Sequence, residues 1–286
     1  MPTAASINSH YLTIGRELAT RLGQAAVSGL HLPAAVPDET FRDEFGFVFL
    51  ADGSVGPFYV SMGDLLRDLW CRCPEPPAYR ADALSLLQGF TSTEPANRAL
   101  ALGTYNALSA ALFRAADFEP PDRSRGSGLE GLATGAVIGM VGYFGPLVDR
   151  LTAQGNRVLI LEQAPERVPD RTGVAATDDP AALRSCARVL CTASTLINDT
   201  LSELLAALGP QTPIELVGPS GSGVPDPLFA RGVAAVGGIS FGRREALLEQ
   251  LGHGETWGKA GRKYQLDQDN YPGISALLER VKRDWR

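Results

Sequence analysis

Five short apolar runs separated by helical stretches fill the second half of the chain, and this rhythm constrains the fold more than any other feature. The runs are residues 135–142 (GAVIGMVG), 157–161 (RVLIL), 188–192 (RVLCT), 213–218 (PIELVG) and 233–238 (VAAVGG). Runs that are apolar throughout suit strands covered on both faces, as in a parallel sheet. Alternation with helices implies right-handed crossovers and a Rossmann-like, doubly wound parallel sheet. Pro146 falls in the first turn of the helix after the first strand, and Gly155 is placed to close that helix.

The first half has a different pattern. Residues 8–27 read as an amphipathic helix, with Leu12, Leu18, Leu22 and Ala26 at helical spacing. Phe45, Phe47 and Phe49 then alternate, Asp52-Gly53 is a hairpin turn signal, and Phe58, Val60 and Met62 continue on the returning strand. Residues 62–70 suit a short helix. Thr93-Glu94-Pro95 starts a longer apolar one, whose Ala101, Gly103, Ala107, Ala110 and Ala111 allow close packing on a sheet. Residues 119–128 (EPPDRSRGSG) have linker composition. The expected organisation is therefore a small α+β domain over residues 1–120 and a Rossmann-like ligand-binding domain over residues 121–286, with a final helix at 274–285.

Composition excludes several classes. A net charge of −6 argues against nucleic acid and anionic membrane surfaces as partners, since both call for a basic face. No apolar stretch approaches a bilayer span, and the first residues lack a signal-peptide pattern, so a cytoplasmic protein is expected. Four cysteines in 286 residues are no disulfide framework. Cys71 and Cys73 have no second pair at zinc-like spacing and are expected to mark a helix end. Cys186 and Cys191 read as core residues. His10, His31 and His253 form no metal motif, and no nucleophile elbow occurs.

Three segments follow strands and so fall where open parallel sheets bind ligands. The first is Met140-Val141-Gly142-Tyr143-Phe144-Gly145, with Glu162 at the end of the next strand, about twenty residues beyond Gly142. A turn glycine admits a ligand to the backbone, and an acidic residue at that distance accepts hydrogen bonds from ribose hydroxyls. The glycines do not form the G-x-G-x-x-G of pyrophosphate binders, so an adenosine ligand without pyrophosphate, S-adenosylmethionine above all, fits better than NAD. Tyr143 and Phe144 offer aromatic faces for a sulfonium; packing between the domains is the plainer role for Phe144. The alternative for the glycines is tight helix–sheet packing. The second segment, residues 191–200 (CTASTLINDT), offers Thr192, Ser194, Thr195 and Asn198 for a polar ligand group, against helix capping as the alternative. The third, Gly218-Pro219-Ser220 within GPSGSG, is either a ligand-facing backbone loop or a plain crossover; it lacks the lysine of a P-loop.

The stretches VIGMVGYFGPLVDRL…VLILEQAPE, LCTASTLINDTLSELL and ELVGPSGSGVPDPLFARGVAAVGG resemble the putative heavy-metal chelation family, a domain of unknown function. The resemblance implies a Rossmann-like domain preceded by a smaller domain similar to the N-terminal domain of enolase, and a cleft between the two. It carries site roles onto Asn106, Gly142, Glu162, Thr192, Ser194, Thr195, Asn198, Gly218, Pro219 and Ser220. His253, Trp257, Lys259 and Tyr264, in the polar tail, are expected either to cap the cleft or to lie on the surface. The expected function is a small-molecule enzyme using S-adenosylmethionine for methyl or aminocarboxypropyl transfer or cyclisation. A binding protein for a heavy metal or metal–chelator complex is the alternative. A homodimer is the assembly left open.

Overall fold

The computed structural model describes residues 6–23, 25–34, 44–122, 132–163, 165–242, 244–253 and 256–281. Helix α1 (Ile7–Arg21) is capped by Ser6, whose side chain accepts from the amide of Ser9. The sequence reading ran this helix to residue 27; instead the chain turns at Gly23, where φ is +78°, and enters strand β1 (Ala26–His31). Strands β2 (Phe45–Leu50) and β3 (Val55–Tyr59) form the expected hairpin, followed by α2 (Leu65–Arg72), β4 (Ala81–Asp82), α3 (Ala83–Leu87) and α4 (Pro95–Ala115). The four strands make an antiparallel sheet in the order β3-β2-β1-β4.

Helix α4 lies against this sheet almost backbone to backbone. A methyl group on Gly56 of β3 would fall 1.9 Å from the Gly103 carbonyl oxygen and 2.4 Å from the Ala107 nitrogen of α4. The small residues of α4 are what permit this approach. The other side of α4 reaches the second sheet: Tyr105 Oη donates to the Val224 carbonyl at 2.9 Å, and Ser109 Oγ accepts from the Val224 amide at 2.9 Å. One apolar cluster consequently runs through α4 into both sheets.

The second sheet contains β5 (Val137–Val141), β6 (Arg157–Leu161), β7 (Val174–Thr177), β8 (Arg188–Thr192), β9 (Ile214–Val217), β10 (Ala235–Phe241) and β11 (Gly261–Asp267). Its order is β11-β10-β9-β8-β5-β6-β7, parallel except for β11, which runs antiparallel to β10. Counted from β5, the six parallel strands follow the 3-2-1-4-5-6 Rossmann order, whose switch point lies between β5 and β8. Helix α5 (Gly145–Ala153) covers one face, where Val148 and Leu151 meet Ile138, Met140, Val158, Ile160 and Leu190. Helix α6 (Leu201–Leu208) belongs to the cluster on the opposite face, with Val189 and Cys191.

Helix α8 (Arg244–Gly252), between β10 and β11, packs elsewhere: its Leu247 joins Phe45, Phe47, Phe49 and Val55 of the first sheet. The remaining helices are α7 (Asp226–Phe229) and α9 (Ile274–Arg280). Much of the linker assigned to residues 119–128 lies outside the described residues. Its first part is tied to β11, with Arg262 bonded to the Pro120 carbonyl at 2.8 Å and paired with Glu119 at 3.1 Å. No helix among the described residues is long and apolar enough to cross a membrane.

Candidate ligand-binding cleft

A cleft of about 480 Å³ opens at the carboxyl ends of β5, β6, β8 and β9, astride the switch point. Nine of the residues picked out from the sequence line it: Gly142, Tyr143, Phe144, Glu162, Thr192, Ser194, Gly218, Pro219 and Ser220. Gly142 has φ +81°, a left-handed conformation that glycine adopts without a Cβ penalty. A methyl group there would sit 3.3 Å from Thr192 Cγ2, so the glycine keeps the wall between β5 and β8 thin. Glu162 is half-buried; its Oε1 accepts from the Gln163 amide at 2.9 Å, and Oε2 has no hydrogen bond among the described residues.

The turn after β8 separates its polar residues into two groups. Thr192 and Ser194 face the cleft, their hydroxyl oxygens 2.9 Å apart. Thr195 turns inward and donates to the Thr192 carbonyl at 2.8 Å. Asn198 Oδ1 accepts from the Thr200 hydroxyl at 2.7 Å and holds the turn that leads into α6. Neither Thr195 nor Asn198 lines the cleft, because a single 3₁₀ turn over Ala193–Leu196 cannot present every side chain to one side. Capping and turn chemistry account for them.

Asn106 lies on the long helix as expected but lines a neighbouring depression rather than this cleft. It is buried in α4 and donates through Nδ2 to the carbonyls of Pro57 at 2.8 Å and Ser220 at 3.0 Å, riveting β3 to the loop after β9. The Tyr59 amide donates to Ser220 Oγ at 2.9 Å and completes that junction. Gly218, with φ +114°, starts the loop. Of the tail residues, Trp257 and Tyr264 line the cleft, whereas Lys259 lines a separate depression with Arg114 and Arg262, and His253 is exposed.

The cleft continues over β9–β11, on the face that carries α5 farther along the sheet. Glu215, Val217, Gly237, Ile239, Lys263 and Gln265 line it there. Glu215 is only 5 % exposed. It pairs with Arg188 at 2.7 Å and accepts from Gln265 Nε2 at 3.1 Å. That last bond reaches from β11 to β9 across β10, where Gly237, the register partner of Gln265, contributes no side chain. The first sheet and the tail add an aromatic wall, with the Phe45 ring 5.5 Å from Tyr59 and 4.9 Å from Trp257. Sequence reasoning did not assign Phe45, Tyr59, Glu215, Lys263 or Gln265 to the site. A lone carboxylate inside the apolar run PIELV was the one local signal.

The described donor set does not fit a metal held directly by these side chains. Among the described residues no group of three or more His, Cys, Asp or Glu side chains converges. Cys71 is exposed while Cys73 is buried at the end of α2, so the two thiols do not share a surface. Burial pushes the Cys191 thiol up to about 12, which keeps it protonated beneath the cleft.

The strand order and the cleft at its switch point define a protein with a Rossmann-type domain. The model of the family described as putative heavy-metal chelation (DUF364) matches residues 128–267, in line with the resemblance read from the sequence. Two solved structures titled as proteins of unknown function from the same family share the fold. One, from Pyrococcus horikoshii, is 16 % identical with a TM-score of 0.64; the match covers 91 % of this chain and 99 % of that one. The other, from Desulfitobacterium hafniense, is 17 % identical with a TM-score of 0.62 and the same coverage. No curated protein matches the chain.

Proposed function

We propose that the cleft binds an adenosyl ligand, S-adenosylmethionine in the first instance, and that the protein is a small-molecule transferase. The observation that carries this reading is the pairing of Gly142 in a left-handed turn with a Glu162 carboxylate oxygen that has no partner among the described residues, at the ends of adjacent strands beside the switch point. Glu162 would accept from ribose hydroxyls, and the Gly142 backbone with Thr192 and Ser194 would hold the amino-acid end. Tyr143 lies beside the turn, where a ring face attracts a sulfonium. When bound, S-adenosylmethionine supplies an electrophilic carbon on sulfur, for methyl or aminocarboxypropyl transfer or cyclisation. This chain's part is to orient the two reactants and exclude water.

The test is titration calorimetry with S-adenosylmethionine and S-adenosylhomocysteine. Glu162→Gln should weaken binding by about 1.5–3 kcal/mol, the worth of a hydrogen bond to a charged group. Unchanged affinity in the folded variant removes the ribose role, and no binding by the wild type removes the adenosyl reading. A second reading is favoured by the family's description together with the absence of a converging donor set among the described residues. On that reading the cleft holds an organic chelator that itself carries the metal.

A further inference from the structure

We propose that the part of the cleft over β9–β11 is a subsite for a small aromatic carboxylic acid, with Lys263 as the residue that recognises its acid group. The proposal rests on reading this cleft as the ligand site, and it names the chemistry of the second ligand.

Lys263 is the one cationic side chain among the described residues that line the cleft. It is exposed and makes no ion pair with another described residue. The carboxylates nearby are not available to neutralise it. Glu215 is committed to Arg188 and Gln265, and Glu162 stands at the end of β6, with four strands between it and β11 in the sheet. A cationic ligand would therefore meet an unopposed ammonium, whereas an anionic one would find its partner.

Gln265, two residues along the same face of β11, gives its amide N–H to Glu215 and so presents Oε1 as an acceptor. Gly237 leaves open the floor between Gln265 and Glu215. The side of the subsite is the Phe45, Tyr59 and Trp257 wall, built of rings meeting edge to face. Another ring packs well against such a wall, in offset or edge-on contact. Acid group, flat apolar body and one hydrogen-bond donor are the features this lining selects.

The probes are benzoate, anthranilate, the neutral isostere benzamide and the cation benzylammonium, titrated into the full chain and followed by calorimetry and tryptophan fluorescence. Benzoate and anthranilate should bind, and better than benzamide. Lys263→Gln should weaken the two acids at least about tenfold while leaving benzamide unchanged, as expected when one charge-assisted contact is lost. Trp257→Phe should abolish the fluorescence change without removing the preference for the acids. Lys263 is exposed, so the variant should melt as the wild type does, and a melt confirms it. The proposal is overturned if benzylammonium binds as tightly as benzoate, if Lys263→Gln leaves benzoate affinity intact, or if none of the acids binds at 10-millimolar order, roughly the weak limit of specific recognition. The adenosyl reading fails separately, since Glu162→Gln should not alter benzoate affinity.

Discussion

Replacing Gly142 by alanine tests whether the turn after β5 lies under a ligand, and the fold supplies its own control. Gly142 and Gly155 have nearly the same backbone, φ +81° and +79°. An added methyl group would sit 3.3 Å from a threonine Cγ2 in each case, Thr192 for Gly142 and Thr134 for Gly155. The strain of an alanine in the left-handed region is thus matched, at roughly 1–2 kcal/mol. Each variant should lose about 2–8 °C of melting temperature, at roughly 2–4 °C per kcal/mol for a chain of this size. Only one of the two lies on the cleft. Gly142 lines it; Gly155 closes α5 at the opposite end of the sheet, before β6 begins. A methyl wedged beside a bound ligand costs about 1–3 kcal/mol, so Gly142→Ala should weaken S-adenosylhomocysteine roughly 5- to 150-fold, with Gly155→Ala at wild-type affinity. Calorimetric titration and thermal melting of both variants give the four numbers needed. Wild-type affinity in both would refute the placement of ligand on this turn. An equal loss in both would show that binding responds to stability rather than to the wedge.

Two further outcomes follow from burial. Cys71 is exposed, while Cys73, Cys186 and Cys191 are buried with their thiols pushed above the ordinary range chiefly by desolvation. Iodoacetamide should therefore modify the native protein at Cys71 alone, and at the other three only in denaturant; peptide mass spectrometry showing native modification of Cys191 would contradict the packing under β8. Burial lowers His31 below its ordinary 6.5, because the first sheet disfavours its charged form. As pH falls through 6.5 the unfolded chain takes up a proton that folded His31 resists, so stability present above that pH is lost below it. Chemical denaturation between about pH 7.5 and 5.5 should show this decline, and His31→Gln should flatten it; an unchanged slope would assign the decline to other groups.

The legibility of the fold in the sequence followed how locally each element is determined. All five apolar runs are strands, because a strand covered on both faces is predominantly apolar. The strands that were not read are β1 and the edge strands β4, β7 and β11. Strand β7 is four residues between polar turns, and β1 begins within five residues of the end of α1, so its alanine and valine merge with the helical pattern. Strand β11 (GRKYQLD) buries only Tyr264 and Leu266, an alternation too short to stand out in a polar tail. The site divides in the same way. Gly142 and Glu162 were legible because strand ends and βα turns fix their positions by spacing. Phe45, Tyr59, Lys263 and Gln265 meet at the cleft only through tertiary packing, which no local pattern encodes. Thr195 and Asn198 make local turn bonds and Asn106 bridges Pro57 and Ser220 across the fold, and residue type alone does not separate such bonding from ligand contact.

The position of α8 explains why a cleft of this shape exists. In a doubly wound sheet the segment after a strand packs back on the sheet and covers it. Strand β11 runs antiparallel to β10, so the connection between them is not obliged to cross a face of the sheet. The connecting helix instead places Leu247 on Phe45, Phe47, Phe49 and Val55 of the first sheet. The face of β9–β11 that would otherwise be apolar and covered carries Glu215, Gln265 and Lys263 and opens to the cleft. The same detour brings Trp257 against Phe45, so one segment both leaves the floor bare and completes the aromatic wall beside it. Buried charge on a central strand is costly unless paired, and the Arg188–Glu215–Gln265 arrangement meets that condition at the floor. A sheet built only for packing would have an apolar residue at position 215. The charge there, the side-chain-free Gly237 beside it and the diverted helix above are three independent departures from that pattern at one place, which is where a binding site is expected to conflict with the rules of folding.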